Sequence, residues 1–245
     1  DERRVLQGAV DGLAERSFLP ATKSPGLNTS YQLSLGDRKT LFGKNFGYTL
    51  GGNYSRNFTN YNNRALNVWA LPGNTSSNLL IPFFQTDGIQ SAEATTLGGF
   101  ASLAYQLNNS NEISLNYTYN HDTEVSAGAL SGIWPGAISI GHTYDGRNIS
   151  FVERELSNLQ LTGKHALGGQ KDIKIDWVLG YAASSQMEPD TRIFAFNTTN
   201  SGLFEIRQAE YDRPFHFFRD LNDNQLSGKL DIEIPLGNEN QNKLK

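Results

Sequence analysis

The sequence predicts an all-β chain folded as an antiparallel up-and-down transmembrane sheet, a partial β-barrel with about seven membrane strands of a larger barrel. Three observations carry that expectation. Segments of about ten residues alternate between apolar and polar side chains, the period of a strand with two unlike faces. The connectors between them alternate strictly between short and long. No run of eighteen or more apolar residues occurs, so no transmembrane helix is expected, whereas strands cross with about ten residues of low mean hydropathy.

Composition agrees. Gly and Asn occur 24 times each, beside 14 Phe and 10 Tyr, which favours turns and strands over helices. Lys and Arg number 21 against 25 Asp and Glu, so no basic stripe is present and nucleic acid is not an expected partner. Without cysteine there is neither a disulfide framework nor a thiolate metal site, a composition compatible with an oxidising envelope compartment. The length accommodates one large domain or two small ones.

The elements follow in order. Residues 27–36 set Leu27, Tyr31, Leu33 and Leu35 against Ser30, Gln32 and Ser34. Residues 46–58 set Phe46, Tyr48, Leu50, Tyr54 and Phe58 against Thr49, Asn53, Ser55 and Asn57. Leu97, Ala101, Leu103, Tyr105 and Leu107 define the third segment, 95–107. The cleanest is 111–122, NEISLNYTYNHD, with Ile113, Leu115, Tyr117, Tyr119 and His121 on one face and only polar residues on the other. Between Asn148 and Lys164 the pattern slips: Leu159 and Leu161 are in phase and Leu156 is not, which a bulge near Ser157 would reconcile. Ile173, Ile175, Trp177, Leu179 and Tyr181 mark 172–184, and Leu226, Leu230, Ile232 and Ile234 mark 224–236.

Short connectors are expected at 36–44, 108–111 and 166–169, and long ones near 59–94, 123–148 and 186–214. In a meander this gathers the short turns at one end, as in outer-membrane barrels with short periplasmic turns and long extracellular loops. A Greek-key sandwich has no reason to sort its loops so. Lys174, Asp176, Lys229, Asp231 and Glu233 on the polar faces suit a wet lumen better than a dry core. Alternation alone also describes a half-solvated soluble sheet.

Several stretches, in this order, resemble a known family. SFLPATKSPGLNTSYQLSLGDRKTLFGKNFGYTLGGNYSRNFTNYNNR is similar to the opening barrel hairpin of TonB-dependent outer-membrane receptors of the Bacteroidetes type. ERELSNLQLTGKHALG, KIDWVLGYAASSQMEPDTRIF and RPFHFFRDLNDNQLSGKLDIEIPL look like later strands of the same barrels. The resemblance covers roughly residues 17–236 and rests on order and spacing, since none of these is a catalytic signature. It implies a 22-stranded barrel closed by an N-terminal plug, which imports a bound nutrient with inner-membrane energy. The sequence departs from that pattern: no plug or energy-coupling box precedes the strands, and seven strands cannot close such a channel. The expectation is therefore a fragment, with residues 1–26 a plug-to-barrel connector or plug tail and 27–245 a partial barrel. The implied location is the outer membrane. The implied partners are membrane lipid, the plug and remaining strands, the TonB energy-coupling complex, and a small-molecule, glycan or peptide ligand. A surface lipoprotein over the loops is left open.

Chemistry-bearing motifs are few. His121, His142, His165 and His216 show no metal-ligand spacing, and ALGGQK and LGGF lack the spacing of a phosphate loop. No nucleophile elbow is present, and Asn-x-Ser/Thr triplets at Asn53, Asn74 and Asn197 follow from composition. The expectation is no enzyme, no metal and no cofactor. Aromatics in the long connectors are the candidate ligand contacts: Trp69, Phe83, Phe84, Trp134, Phe196 and Phe215. The competing reading of these rings is mutual packing or an interfacial girdle. Other function classes remain open: a small outer-membrane channel or hydrolase barrel, and a secreted β-rich binding module.

Overall fold

The computed structural model describes residues 20–73, 79–167, 173–206, 214–235 and 243–244. Its strands are β1 (Thr29–Leu41), β2 (Lys44–Ala70), β3 (Ile81–Asn108), β4 (Asn111–Ile133), β5 (Thr143–Leu167), β6 (Ile173–Thr198), the two-residue β7 (Phe204–Glu205), β8 (Phe215–Pro235) and the two-residue β9 (Lys243–Leu244). They form one antiparallel sheet in the order β1-β2-β3-β4-β5-β6-β8-β9, with β7 added on β6. No helix occurs among the described residues. Residues 1–19, most of the expected connector segment, lie outside the described residues.

The first turn is tighter than the nine-residue connector expected from sequence. β1 and β2 pair down to Leu41↔Lys44, leaving Phe42 and Gly43 at φ 52° and 74°. Positive φ at both central residues is the two-residue turn that matches strand twist. Gly43 adopts it without a Cβ penalty, whereas Phe42 does not, and its ring is 89% exposed.

Strand length departs most from expectation. β2 and β3 hold 27 and 28 residues, so each reaches roughly 90 Å at about 3.3 Å per residue. The segments expected as loops at 59–94, 123–148 and 186–214 are largely strand. At that end of the sheet β2, β4 and β6 run to Ala70, Ile133 and Thr198, and β3, β5 and β8 begin at Ile81, Thr143 and Phe215, with the short β7 between β6 and β8. Stretches such as NFTNYNNRALN are polar on both faces, so backbone pairing there leaves no hydropathy signal. Turns stay sorted, with the narrow reversals at one end and the wider ones at the other.

The bulge expected near Ser157 is absent. β4 pairs β5 in unbroken register from Asn111↔His165 to Gly132↔Tyr144, and Leu156 projects from the polar face opposite Asn120 and Ser184.

Registered pairs share a face, so two faces can be followed across seven strands. One bears Leu35, Leu50, Ala101, Tyr117, Leu159, Tyr181 and Leu226 in a single row. The adjoining row on the other face is Gly36, Thr49, Ser102, Asn116, Gln160, Gly180 and Ser227. No second layer covers either face among the described residues, where the only buried apolar residues are Ile138, Ala195 and Phe196. Large side chains instead use seats on the neighbouring strand: the Trp177 ring lies where a Cβ on its partner Gly163 would stand, and Trp177 Nε1 donates to His165 Nε2 at 3.0 Å.

Two stability effects follow. Phe42→Asn should raise the unfolding free energy by about 1 kcal/mol, because Asn tolerates the left-handed region that Phe disfavours. Denaturant titration checks it, and an unchanged or lower midpoint contradicts it. Gly163→Val should displace the indole, cost about 1–3 kcal/mol by overpacking, and shift the Trp emission.

Candidate functional site

The polar face is tied laterally by side-chain hydrogen bonds. Asn45 Nδ2 donates to Gln106 Oε1 and Ser102 Oγ to Asn116 Oδ1, both at 2.7 Å, and the hydroxyls of Ser114 and Thr162 pair. The amide groups of Asn53 and Asn120 converge over Gly98, in the space a Cβ there would occupy. Phe100 lies similarly across Gly51.

A depression of about 630 Å³ opens on this face where β4, β5, β6 and β8 run side by side. Two registered rows line it. The upper is Asp122, Arg154, Gln186 and Leu221; the lower is Asn120, Leu156, Ser184 and Asp223. Arg154 Nε donates to Gln186 Oε1 at 3.1 Å. Asp122 and Asp223 have no ion-pair partner among the described residues. The small Ser184 between Leu156 and Asp223 leaves the floor open.

The end bearing the wider turns is built differently. Phe84, Trp134 and Tyr144 meet edge to face, with centroids 5.2 to 5.7 Å apart. The Trp134 carbonyl accepts from the N–H groups of Ala137 and Ile138 at 3.0 and 2.9 Å, curling the 134–142 reversal and burying Ile138. A second cluster joins Phe194, Phe196 and Phe204 at 5.2 Å spacings. The Arg147 guanidinium stands 5.6 Å from the Phe196 centroid, and Thr198 Oγ1 donates to the buried Asp145 at 2.9 Å.

Between β6 and β8 the ladder shifts register between Glu188 and Thr191, and charged pairs bridge the irregularity. Arg192 Nε donates to Asp190 Oδ1 at 2.7 Å, His216 Nε2 pairs with the same carboxylate, and Arg219 donates to Glu188 at 2.8 Å. The Arg192 guanidinium holds the Asp190 carboxyl below the usual carboxylate range; partial burial works against it and His216 adds to it.

The candidate aromatics do not converge. Phe84 and Trp134 share a cluster, joined by Tyr144, which sequence reading did not single out. Phe196 belongs to the second cluster and is 8% exposed, so mutual packing occupies it. Trp69 opposite Pro82, Phe83, and Phe215 opposite Ile193 stand at strand ends with rings open to contact. The polar residues of the depression were missed, although the out-of-phase Leu156 was a usable signal. Among the described residues no group of three or more His, Asp or Glu is placed to hold a metal ion. No family model, curated protein or solved structure matches the chain.

The Asp190 bridge predicts a pH response. A carboxyl with a lowered folded-state pKa contributes stability above its unfolded value of about 3.9, and that contribution is lost as pH falls through the folded value. Hydrogen-exchange protection factors along residues 188–193 and 215–219, corrected for the intrinsic pH dependence of amide exchange, should hold down to about pH 4 and fall below it. Asp190→Asn should exchange faster already at neutral pH and lack the acid step.

Proposed function

We propose that this chain is part of the wall of an outer-membrane β-barrel receptor of the TonB-dependent kind. Such a receptor captures a nutrient at its outer end and passes it inward with inner-membrane energy. One observation carries the reading: the apolar band on the sheet runs diagonally to the hydrogen-bonded rows. The row of Tyr31 continues through Tyr54 and Leu97 and then turns polar at His121, Glu155, Ser185 and Asn222. The row of Lys39 does the reverse, charged on β1 and then Phe46, Tyr105, Ile113, Gly163, Trp177 and Leu230.

A level slab of lipid around tilted strands requires that drift. Strands about 4.8 Å apart, rising about 3.3 Å per residue and tilted about 35–45°, displace a horizontal band by about one residue per strand. The upper edge moves from Tyr31 to Leu226, whose row meets β1 at Leu35, four residues lower. The lower edge moves from Leu35 to Ile234, eight residues beyond Leu226 on β8. Over six strand steps the two displacements bracket the expected value.

Ladder irregularities support the same slab. Register shifts occur at Tyr61/Arg64, Val68/Trp69, Ile149/Glu153 and Glu188/Thr191, all above the band, and at Gln106/Asn108 beside the narrow turn below it. Unpaired backbone groups are tolerated where water reaches them and are costly in hydrocarbon. Strands of 27 or 28 residues tilted by about 45° stand roughly 60 Å tall against an apolar band of about 25 Å. The ends with wider turns then project well beyond the membrane, where outer-membrane receptors meet their ligands.

Adjacent substitutions on opposite faces test the slab. In protein refolded into phospholipid vesicles, Leu115→Arg should cost about 2–4 kcal/mol and Asn116→Arg far less, since only the first side chain faces lipid. Equal costs would sink the reading.

A further inference from the structure

We propose that the depression between β4, β5, β6 and β8 is a ligand subsite for a short peptide with free termini and an apolar side chain. The inference rests on reading the polar face as the wet inner wall of a barrel and names the ligand class that this part of the wall takes.

Leu156 and Leu221 are the starting point. They are 42% and 54% exposed on the water-facing side, flanking the floor formed by Ser184 and Gln186. Leucine projecting into water gains nothing for the sheet, and a ligand with an apolar group covers both.

The charges around them select what else that ligand carries. Arg154 uses Nε on Gln186, which leaves its two terminal amino groups to grip a carboxylate in the two-pronged geometry guanidinium favours. Asp223, two strands away on the row below, is an acceptor for an ammonium group. Two strand spacings and one row, two residues along the strand, set the pair about 12 Å apart, the length of three to four extended residues. Asp122 beside Arg154 disfavours a ligand that is only anionic. The hydroxyls of a neutral sugar hydrogen-bond to such groups but bring no charge to either, so they gain less from the guanidinium and the carboxylates than a zwitterion does. A zwitterion of tripeptide length satisfies Arg154 and Asp223 together while its side chain covers the leucines. Glu155, which also borders the depression, points to the opposite face and is not part of this set. The volume of about 630 Å³ is within the ordinary range for small-molecule sites.

The test uses the whole chain inserted in phospholipid vesicles, with three probes followed by calorimetry: tri-leucine with free termini, the same peptide acetylated and amidated, and maltotriose. Free tri-leucine should bind, the blocked peptide at least tenfold more weakly, and maltotriose not at all. Arg154→Gln and Asp223→Asn should each weaken free tri-leucine about tenfold, the effect of losing one hydrogen-bonded charge. Indifference to blocking or to these variants, equal binding of maltotriose, or no tri-leucine binding by inserted protein would overturn the subsite. Insertion is scored on the same samples. A chain that inserts but ignores peptide removes the subsite alone, whereas an inserted chain in which Leu115→Arg and Asn116→Arg cost the same removes the barrel wall on which it rests.

Discussion

Everything in this molecule depends on the backbone ladder of a single sheet. With three buried apolar residues among those described, there is no core to fix side chains, so order comes from cross-strand registration. A one-residue slip in any pair would carry every apolar group of that strand to the wrong face. Unbroken pairing from Asn111↔His165 to Gly132↔Tyr144 is therefore what keeps Leu115, Tyr117 and Leu159 on one side and Asn116, Thr118 and Asn158 on the other. The apolar face in turn has no second protein layer against it among the described residues. A sheet with leucines, tyrosines and a tryptophan aligned over seven strands exposes more contiguous apolar surface than a monomer in water usually tolerates.

The two ends of the sheet meet different demands. Along the band, pairs are regular and the polar face carries hydroxyls and amides on β1 to β5, joined by Lys174, Asp176, Lys229, Asp231 and Glu233 on β6 and β8. Above it the ladder bulges and ion pairs gather: Arg56 on Glu93, His216 on Asp190 and Arg219 on Glu188 across strands, Arg192 on Asp190 within β6, and Lys23 on Glu93 from the segment before β1. Exposed pairs of this kind contribute little each. Their role is better seen as selecting one register where no apolar alternation does so. The aromatic clusters around Trp134 and Phe196 add what buried area the upper end has, and they occupy three of the six expected ligand-contact rings, Phe84, Trp134 and Phe196.

Much of this was legible in the sequence, and the failures share a cause. Alternation in 111–122 and 172–184 announced both faces, and the sorting of connectors announced the meander. The outer half of each hairpin was read as loop because NFTNYNNRALN and its neighbours are polar on both sides, and hydropathy is silent about backbone pairing when neither face is apolar. Leu156 was read as a sign of a bulge, on the premise that a leucine must rejoin its phase. The register is unbroken at Leu156, which stands on the polar face beside Asn120 and Ser184. Its meaning lies in residues distant in sequence, since Asp122, Arg154, Gln186 and Leu221 become neighbours only when four strands align. A row across a sheet is not written in any one segment.

Glycine shows how a one-layer sheet acquires packing without a second layer. Side chains that cannot interdigitate with an opposing sheet can bury area only against same-face neighbours, and ordinary neighbours stand too tall for a ring to lie flat. Opposite two of the largest rings the sequence places a glycine: Gly51 faces Phe100 and Gly163 faces Trp177, on opposite faces of the sheet. Gly98 performs the same service for two amides, from Asn53 on one side and Asn120 on the other. Each glycine weakens its own strand by the entropy it forfeits, and the ring or amide laid over it restores contact and shields the bare backbone. The arrangement works on the polar face as well as the apolar one. It is therefore a property of being a single layer, whatever solvent each face meets, and it lets Phe100 lie flat across Gly51 on the polar face.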